Sequence, residues 1–348
     1  MRYKLFGRTG LRVSELCLGT MTFGAEWGWG ADQAESRRMF DRFAAAGGNF
    51  IDTANHYTAG TSEQYVGECI HSERHRYVVA TKYTLSARPE DPNAGGNQRK
   101  SLVQALEGSL RRLGTDYLDV YWVHAWDFLT PAEEIMRALD DLVRAGKVLY
   151  VGVSDAPAWA VARANTLAEL RGWTAFAGLQ IQYSLVERTP ERELLPMAAA
   201  LDLAVAAWSP LGGGVLAGKY RQGEPRPKDT RFSEGGWGDA FLTDRNLAIA
   251  REVAAVAREL GRTPSQVALA WLLRRGPNVV IPIIGGRSLA QIEDNLGCLG
   301  LELDPAQLDR LEAASAVPLG FPHDFLAMPM IRQMVHGTAE VDAPRQCR

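Results

Sequence analysis

The sequence has few cysteines, few histidines and no long apolar run. Its four cysteines are scattered and form no CxxC pair, so we expect reduced thiols and neither a disulfide framework nor a thiolate metal site. The six histidines form no HxH or HExxH motif, which argues against a barrel metallohydrolase. No apolar stretch approaches the roughly 18 residues that a membrane-spanning helix requires.

A marked excess of charge is also missing. The 348 residues include 38 Lys and Arg against 41 Asp and Glu, a net charge of -3, so nothing indicates binding to nucleic acid or to an anionic membrane surface. The first residues, MRYKLFGRTG, contain no apolar signal-peptide core, and we therefore expect a cytoplasmic protein. The ordinary globular composition predicts one domain spanning 1–348. The sequence leaves the oligomeric state open, a homo-oligomer included.

What the sequence does contain is a regular alternation of short apolar segments with amphipathic helical ones. The predicted strands are Leu16 to Leu18, Asn49 to Asp52, Tyr77 to Thr81, Leu118 to Trp122, Tyr150 to Ser154, Leu179 to Gln182, Leu203 to Trp208 and Val279 to Pro282. They mostly lack two-residue alternation, which is typical of strands buried on both faces. The predicted helices are Asp32 to Ala46, Ser62 to Ile70, Gln98 to Leu113, Pro131 to Ala145, Ala158 to Arg171, Glu191 to Leu201, Arg245 to Leu260, Pro264 to Arg275 and Ser288 to Leu296. Eight such repeats favour an α/β fold closed into a (β/α)8 TIM barrel.

Three segments fall outside the repeat. Tyr3 to Val13 reads as a short β-hairpin that closes the bottom of the barrel. Leu211 to Asp244 is rich in Gly, Pro and charge without clear periodicity, and a loop of this length is usually functional or disordered. The tail 315–348 is poorly patterned, and we predict that it is irregular. We expect the long loop and the tail to lie over the barrel mouth.

Four ionisable residues come from three successive predicted strands at the ends where barrel active sites lie. Asp52 ends the second strand and Tyr57 follows it, Lys82 ends the third and His124 ends the fourth. Taken singly, each residue has a purely structural interpretation, such as a cap, a loop aromatic or a rim charge. Because reactive groups of a barrel gather at the carboxyl ends of its strands, we expect these four side chains to meet.

The chemistry of the four groups is complementary. An ammonium beside a phenol favours the phenolate and lowers the pKa of the phenol. A carboxylate keeps the ammonium charged, and an imidazole can orient a carbonyl oxygen or relay a proton. This set can protonate an oxygen on which negative charge develops. It supplies no hydride, so a cofactor is needed for reduction.

The chain resembles the aldo-keto reductase family over nearly its whole length, from Tyr3 to Leu303. The resemblance rests on an ordered set of segments: LCLGTMTFG, FIDTANHY, SEQYVGE, VVATK, WVH, GKVLYVGVS, LQIQYS, WSPLGGGVLAGKY and IPIIGGRSLAQIEDNL. It implies a catalytic tetrad of Asp52, Tyr57, Lys82 and His124 with Tyr57 as general acid and base. It also implies reduction of an aldehyde or ketone, sugars and sugar derivatives included, with a nicotinamide cofactor.

The same resemblance implies a set of cofactor-binding residues. These are Gly19, Thr20, Asp52, Ser154, Asp155, Gln180, Trp208, Ser209, Leu211, Gly213, Lys219, Gly286, Arg287, Gln291 and Asn295. In this set Trp208 stacks on the nicotinamide, and the glycine-rich loop offers backbone amides to the pyrophosphate. Arg287 suits a 2′-phosphate at a helix start, so NADP(H) is favoured over NAD(H). Asp155 is a departure, because the family commonly has Asn there and a carboxylate only accepts hydrogen bonds.

Aromatic residues near the strand ends are the substrate-binding candidates. Trp27 and Trp29 follow the first strand and Trp126 follows His124, and aromatic walls suit an apolar or sugar-like substrate. The alternative is that these rings only pack their own loops. Trp237 and Phe325, from the long loop and the tail, are further candidates for the pocket wall.

Two alternative functions can be compared with the sequence, a P-loop nucleotidase and a regulatory subunit. GGVLAGK at 213–219 has the spacing of a phosphate-binding loop, but Tyr220 stands where Ser or Thr is required and no helix pattern follows, which argues against a P-loop nucleotidase. The alternative from another class is a nicotinamide-binding regulatory subunit of a membrane channel with little turnover. The complete tetrad favours an enzyme, although fold and cofactor site alone do not decide between them.

Overall fold

The computed structural model describes residues 1–86, 88–220, 240–276, 279–337 and 339. Its centre is a closed barrel of eight parallel strands: β3 (Cys17–Gly19), β4 (Phe50–Asp52), β5 (Val78–Tyr83), β6 (Leu118–Val123), β7 (Val148–Ser154), β8 (Gly178–Gln182), β9 (Ala204–Trp208) and β10 (Val280–Ile284). Each strand pairs with its neighbour in sequence, and β10 closes the ring on β3. The predicted TIM barrel and its eight strands are confirmed.

Helices surround the barrel and cover its outer face. They are α1 (Gln33–Ala45), α2 (Thr61–Ile70), α3 (Arg99–Leu113), α4 (Ala132–Arg144), α5 (Ala158–Arg171), α6 (Leu194–Ala200), α7 (Asp244–Leu260), α8 (Pro264–Leu273), α9 (Leu289–Leu296), α10 (Pro305–Ser315), α11 (His323–Leu326) and α12 (Pro329–His336). In the described part of the chain, no helix is both long and apolar enough to cross a bilayer. Helix α1 begins where its sequence predicts, because Asp32 caps it by accepting a hydrogen bond from the amide of Glu35.

The hairpin before the barrel pairs β1 (Tyr3–Leu5) with β2 (Arg12–Ser14) in antiparallel register. Phe6, at its turn, is fully buried and makes edge contacts with the rings of Phe50 and Trp122, both at 5.9 Å between centroids. Phe6 therefore fills the lower end of the barrel interior, as predicted for this hairpin.

Two strand glycines leave the space that the Trp122 ring occupies. A Cβ added at Gly152 would lie 2.3 Å from the indole, and one at Gly178 would lie 2.4 Å from the Phe6 ring. Side chains in protein interiors are packed about as densely as organic crystals. The packing of the Phe6 and Trp122 rings in the barrel centre therefore requires glycine at both positions.

The carboxyl-terminal part differs from the prediction. Helix α10 was not expected, and the tail, predicted to be irregular, contains α11 and α12. Its described residues contact the side of the barrel mouth: Arg192 donates to the carbonyl of Pro318 at 2.8 Å, and His323 Nε2 lies 3.1 Å from Glu193 Oε1.

Neither further candidate for the pocket wall is supported. None of the described tail residues lines the main cavity, and Phe325 instead packs on the ring of Phe321. Trp237 lies outside the described residues.

Candidate active site

The four predicted catalytic residues come together at the carboxyl ends of β4, β5 and β6. Lys82 is fully buried, and its Nζ donates hydrogen bonds to Asp52 Oδ2 at 2.5 Å, Tyr57 Oη at 3.1 Å and the carbonyl of Thr53 at 2.8 Å. Tyr57 and His124 line the main cavity, and their ring centroids are 5.9 Å apart. The spatial arrangement expected from the strand ends is present.

A tight turn brings Tyr57 back over the strand ends. Tyr57–Gly60 forms a 3-10 turn in which Thr58 and Ala59 have φ values of 47° and 53°. Thr58 Oγ1 donates to the carbonyl of Phe23 at 2.7 Å, which ties this turn to the loop after β3. Non-glycine residues with positive φ are uncommon and persist where surrounding contacts hold them.

The charges around the tyrosine–lysine pair have identifiable causes. Burial opposes the charge on Lys82, but Asp52 and Tyr57 outweigh it and raise the pKa of Lys82. Burial raises the pKa of Tyr57 above its ordinary value, and the charge of Lys82 lowers it only in part. The expected lowering of the Tyr57 pKa by Lys82 is thus outweighed in this state. Tyr57 is a protonated phenol at neutral pH, as a proton donor must be.

The imidazole of His124 is neutral. Burial, followed by the charge of Lys82, holds the pKa of His124 well below its ordinary value. Its Nδ1 is buried and has no hydrogen-bond partner among the described residues. A neutral imidazole offers one donor and one acceptor, so this ring can hydrogen-bond an uncharged carbonyl oxygen.

All predicted cofactor residues line one cavity of about 520 Å³. A volume of this order is typical of ligand sites in proteins, which range over roughly 300–1,000 Å³. The residues it brings together are Gly19, Thr20, Asp52, Ser154, Asp155, Gln180, Trp208, Ser209, Leu211, Gly213, Lys219, Gly286, Arg287, Gln291 and Asn295. The same cavity contains Tyr57 and His124, so a single ligand-binding space connects the tetrad with the basic residues.

Two basic residues, Lys219 and Arg287, line the cavity. Burial, followed by the nearby charge of Arg287, lowers the pKa of Lys219. Two cations that disfavour each other in a partly buried space favour an anion between or beside them. This arrangement fits a phosphate-bearing cofactor, since a phosphate group carries negative charge.

Three backbone amides of the glycine-rich loop have hydrogen-bond partners within the protein. The amide of Gly212 donates to the carbonyl of Ser209, that of Gly213 to Ser209 Oγ, and that of Gly214 to the carbonyl of Leu211. The cause is a 3-10 turn over Gly212–Ala217 that closes these bonds within the loop. The amides of Gly212, Gly213 and Gly214 therefore already have acceptors within the loop in this structure.

The start of α9 is likewise satisfied from within the protein. The amide of Arg287 donates to Gln291 Oε1 at 2.8 Å, and the amide of Leu289 donates to Glu35 Oε1 at 2.6 Å. Asn295 Nδ2 donates to the carbonyl of Gly285 at 3.2 Å. Gln291 and Asn295 thus brace the strand-to-helix connection that carries Arg287.

Asp155 has a clear partner in the structure. Trp208 Nε1 donates to its Oδ1 at 3.0 Å, and burial raises the pKa of Asp155 against this bond. A carboxylate accepts this bond from the indole without a side-chain flip. Asp155 therefore fixes the plane of the indole against the cavity. The sequence showed that Asp replaces the usual Asn here, but it did not predict this contact with Trp208.

Gln180 and Thr20 are held by the site itself. Gln180 Nε2 donates to Asp52 Oδ1 at 2.9 Å, so Asp52 is shared between Gln180 and Lys82. Thr20 Oγ1 donates to the backbone carbonyl of Asp52 at 3.0 Å. These bonds keep Asp52 in place beneath the cavity floor.

The three predicted substrate-binding tryptophans have different positions. Trp29 lines the cavity. Trp27 is not part of the wall but packs on Trp29 at 5.7 Å and meets Tyr57 edge-on at 6.3 Å between centroids. Trp126 is turned into the hydrophobic core and does not line the cavity.

The position of Trp126 follows from the loop that carries it. Asn97 Nδ2 donates to the carbonyl of Ala125, and the amide of Asp127 donates to Asn97 Oδ1. Because the backbone on both sides is held in this way, the indole lies in the hydrophobic core, where removing its apolar surface from water stabilises the folded protein.

Several cavity residues were not among the predicted site residues. Met21, Thr22, His56 and Leu85 come from the connections after β3, β4 and β5, and Ser265 and Asp294 come from the outer helices α8 and α9. The first four follow barrel strands closely, so their position after a strand end was an available signal. Nothing in the local sequence indicates the latter two.

Comparison with known proteins agrees with this geometry. The sequence model of the aldo/keto reductase family matches residues 15–316, which include the whole barrel. The family match and the named relatives identify the chain as an oxidoreductase. The chain belongs to the aldo-keto reductase family.

Relatives with a stated activity cover most of the chain. A norsolorinic acid reductase of Emericella nidulans is 40% identical over 327 residues, which are 91% of this chain and 82% of the relative. An aryl-alcohol dehydrogenase [NADP(+)] of Phanerodontia chrysosporium is 38% identical over 90% of this chain and 86% of its own length. An aldo-keto reductase of Emericella nidulans is 36% identical over 93% and 84%, respectively.

Proposed function

We propose that this chain is an NADP(H)-dependent reductase of aromatic aldehydes or ketones in which Tyr57 is the proton donor. The observation that carries the proposal is the hydrogen bond from Lys82 Nζ to Tyr57 Oη at 3.1 Å, at the wall of a cavity that also contains two cations. When bound, NADPH supplies the hydride that the side chains lack. The residues of this chain bind the carbonyl compound and move the proton.

The proton step follows from the charges at the site. As negative charge develops on the carbonyl oxygen, Tyr57 Oη donates its proton to that oxygen, and Lys82 stabilises the phenolate that remains. Asp52 keeps Lys82 charged and fixed. His124 hydrogen-bonds the same oxygen as a neutral imidazole and so orients the carbonyl.

The preference for NADP(H) is supported by the paired cations. Lys219 and Arg287 line the cavity and follow β9 and β10, respectively. Arginine matches the geometry of a phosphate group with two parallel donors. One relative is named as NADP(+)-dependent. Trp208, braced by Asp155, is the residue proposed to stack on the nicotinamide ring.

An aromatic substrate is proposed over a sugar. Trp29 and Leu85 line the cavity near the tetrad, and an apolar wall binds an aryl ring by removing both from water. One relative is named an aryl-alcohol dehydrogenase. The relatives reported above are named as enzymes, so they do not favour a regulatory channel subunit.

Replacing Tyr57 by Phe tests the proposal. The ring is kept and the donor is removed, so kcat for an aryl aldehyde should fall by about 100- to 10,000-fold. The Kd for NADPH should change little, because binding of the cofactor does not require the proton. Consumption of NADPH gives the rate, and quenching of protein fluorescence gives the Kd.

Tyr65→Phe is the matched control. Tyr65 lies on α2, outside the cavity, and loss of its hydroxyl should leave both quantities within about twofold, as is usual for surface substitutions. A Tyr57→Phe protein with near-normal turnover would rule out the assignment. A wild-type protein that binds NADPH tightly yet reduces no aldehyde or ketone would instead support the regulatory alternative.

A further inference from the structure

A second imidazole lies beside the proposed proton donor. His56 lines the cavity, and its ring centroid is 5.2 Å from that of His124 and 5.1 Å from that of Tyr57. With 5.9 Å between Tyr57 and His124, the three rings form a compact triangle. The proposed proton step uses only two of them.

Within the part of the chain that the structure describes, His56 Nδ1 makes no hydrogen bond. This atom is buried, as is His124 Nδ1, which likewise has no partner among the described residues. The great majority of buried side-chain polar atoms have a partner, and each exception requires a reason. Two unpartnered imidazoles on one cavity wall are accounted for together if a ligand supplies the partners.

The charge of His56 suits an uncharged ligand. Burial, followed by the charge of Lys82, lowers the pKa of His56 to about 4. The ring is therefore neutral at pH 7 and offers one donor and one acceptor. A hydroxyl group can either donate to the unprotonated ring nitrogen or accept from the protonated one, so either tautomer of the ring can bind it.

The distance between the rings limits where that hydroxyl lies. If Tyr57 and His124 hydrogen-bond the carbonyl oxygen of the substrate, His56 can reach only a second substrate oxygen that lies close to the first. In a 2-hydroxyaryl aldehyde or ketone, the hydroxyl and carbonyl oxygens are about 2.5–3.0 Å apart, the spacing of an O–H···O hydrogen bond. A hydroxyl across the ring would lie far outside the triangle.

We propose that His56 is a specificity-determining residue that hydrogen-bonds a hydroxyl on the ring carbon next to the one that carries the carbonyl group. The site then favours 2-hydroxyaryl aldehydes and ketones over isomers with the hydroxyl elsewhere. Trp27, 6.1 Å from the His56 ring, supports the imidazole from behind. This inference rests on the proposed reductase function and adds the substrate class.

Three probes and one substitution test the inference. The substrates are 2-hydroxybenzaldehyde, 4-hydroxybenzaldehyde and benzaldehyde, each with NADPH. The variant His56→Phe keeps a ring of similar shape and removes both nitrogens. We expect it to lower kcat/KM for the 2-hydroxy compound about tenfold more than for the other two, the size of one hydrogen bond of about 1.4 kcal/mol. For each aldehyde, the ratio of kcat/KM between the variant and the wild-type protein is compared, so the intrinsic reactivity of the aldehyde cancels.

Two further variants keep the test decisive. His56→Gln retains a donor and an acceptor and should recover part of the preference, and it replaces His56→Phe if that protein does not fold. His71→Phe, at an exposed position that does not line the cavity, is the matched control and should leave the ratios unchanged. Binding of NADPH by fluorescence shows that each variant is folded.

The possible outcomes are distinct. A selective loss for 2-hydroxybenzaldehyde supports the inference. Equal losses for all three aldehydes, or no loss, overturn it and leave the reductase proposal in place. Absence of turnover by the wild-type protein with every aldehyde overturns the reductase proposal itself.

Discussion

At the scale of single residues, the site depends on which charges are kept and which are suppressed. Lys82 stays charged in a fully buried position because Asp52 compensates for its lost hydration. His56 and His124 lose their charge because nothing compensates for theirs, and Lys82 repels it further. The same burial therefore produces a fixed cation and two neutral imidazoles within one cavity.

The suppressed charge of His56 predicts a loss of stability in mild acid. Its pKa in the folded protein is about 4 against an ordinary value of 6.5, so between these values the unfolded chain binds more protons. Stability should fall as the pH decreases from 7 to 5. Urea unfolding at both pH values should show a smaller fall in the transition midpoint for His56→Phe than for the wild-type protein. Equal falls would mean that His56 titrates normally in the folded state.

Prediction from sequence worked for residues fixed by their strand and failed for residues fixed by distant contacts. Lys82 and His124 were predictable because the end of a strand determines the direction of a neighbouring side chain. Trp126 was not, since its orientation depends on Asn97, about thirty positions earlier in the sequence. The position of His56 next to Tyr57 is visible in the sequence, but the sequence does not show that its ring also contacts His124.

At the scale of secondary-structure elements, the strands follow their sequences more closely than the outer helices do. Short apolar runs, most of them rich in β-branched and aromatic residues, indicated the strands. Helix α10 was missed because only Leu311 and Ser315 of its residues are buried, which leaves a weak periodic signal. Its capping box of Asp304 and Gln307 was the clearer sign of a helix start.

That capping box predicts the effect of a single substitution. Asp304 accepts a hydrogen bond from the amide of Gln307 at 2.8 Å, and Gln307 accepts one from the amide of Asp304 at 3.0 Å. Asp304→Ala should lower the free energy of unfolding by about 1 kcal/mol. Urea unfolding measures this change. The exposed Asp309 on the same helix is the control, and Asp309→Ala should have an effect below about 0.5 kcal/mol; similar effects of the two would contradict a capping role.

At the scale of the whole molecule, one cavity connects residues from the first barrel strand to the last helix of the repeat. Gly19 ends β3 and Thr20 follows it, whereas Arg287 lies in the connection after β10 and Gln291 lies on α9. A ligand that contacts both ends therefore binds only the closed barrel. Binding to the folded state alone stabilises it in proportion to the logarithm of ligand concentration.

Thermal unfolding should report this linkage. NADPH at about 100 times its Kd should stabilise the protein by about 2.7 kcal/mol and raise the Tm by several degrees. Arg287→Ala should reduce the shift given by NADPH while leaving the smaller shift given by NADH, since only NADPH carries the 2′-phosphate. Arg171→Ala, at an exposed position on α5, is the control and should keep both shifts. Equal loss of both shifts in Arg287→Ala would assign Arg287 to another part of the cofactor.

The pairing of β10 with β3 affects how the chain can fold during synthesis. The ring cannot close until residue 284 has left the ribosome, so a shorter nascent chain has two unpaired strand edges, at β3 and at the latest strand made. Unpaired edges attract other strands, and parallel pairings between distant segments form slowly. Slowing translation before β10 should therefore increase the demand for chaperones during biosynthesis, whereas a pause after it should not.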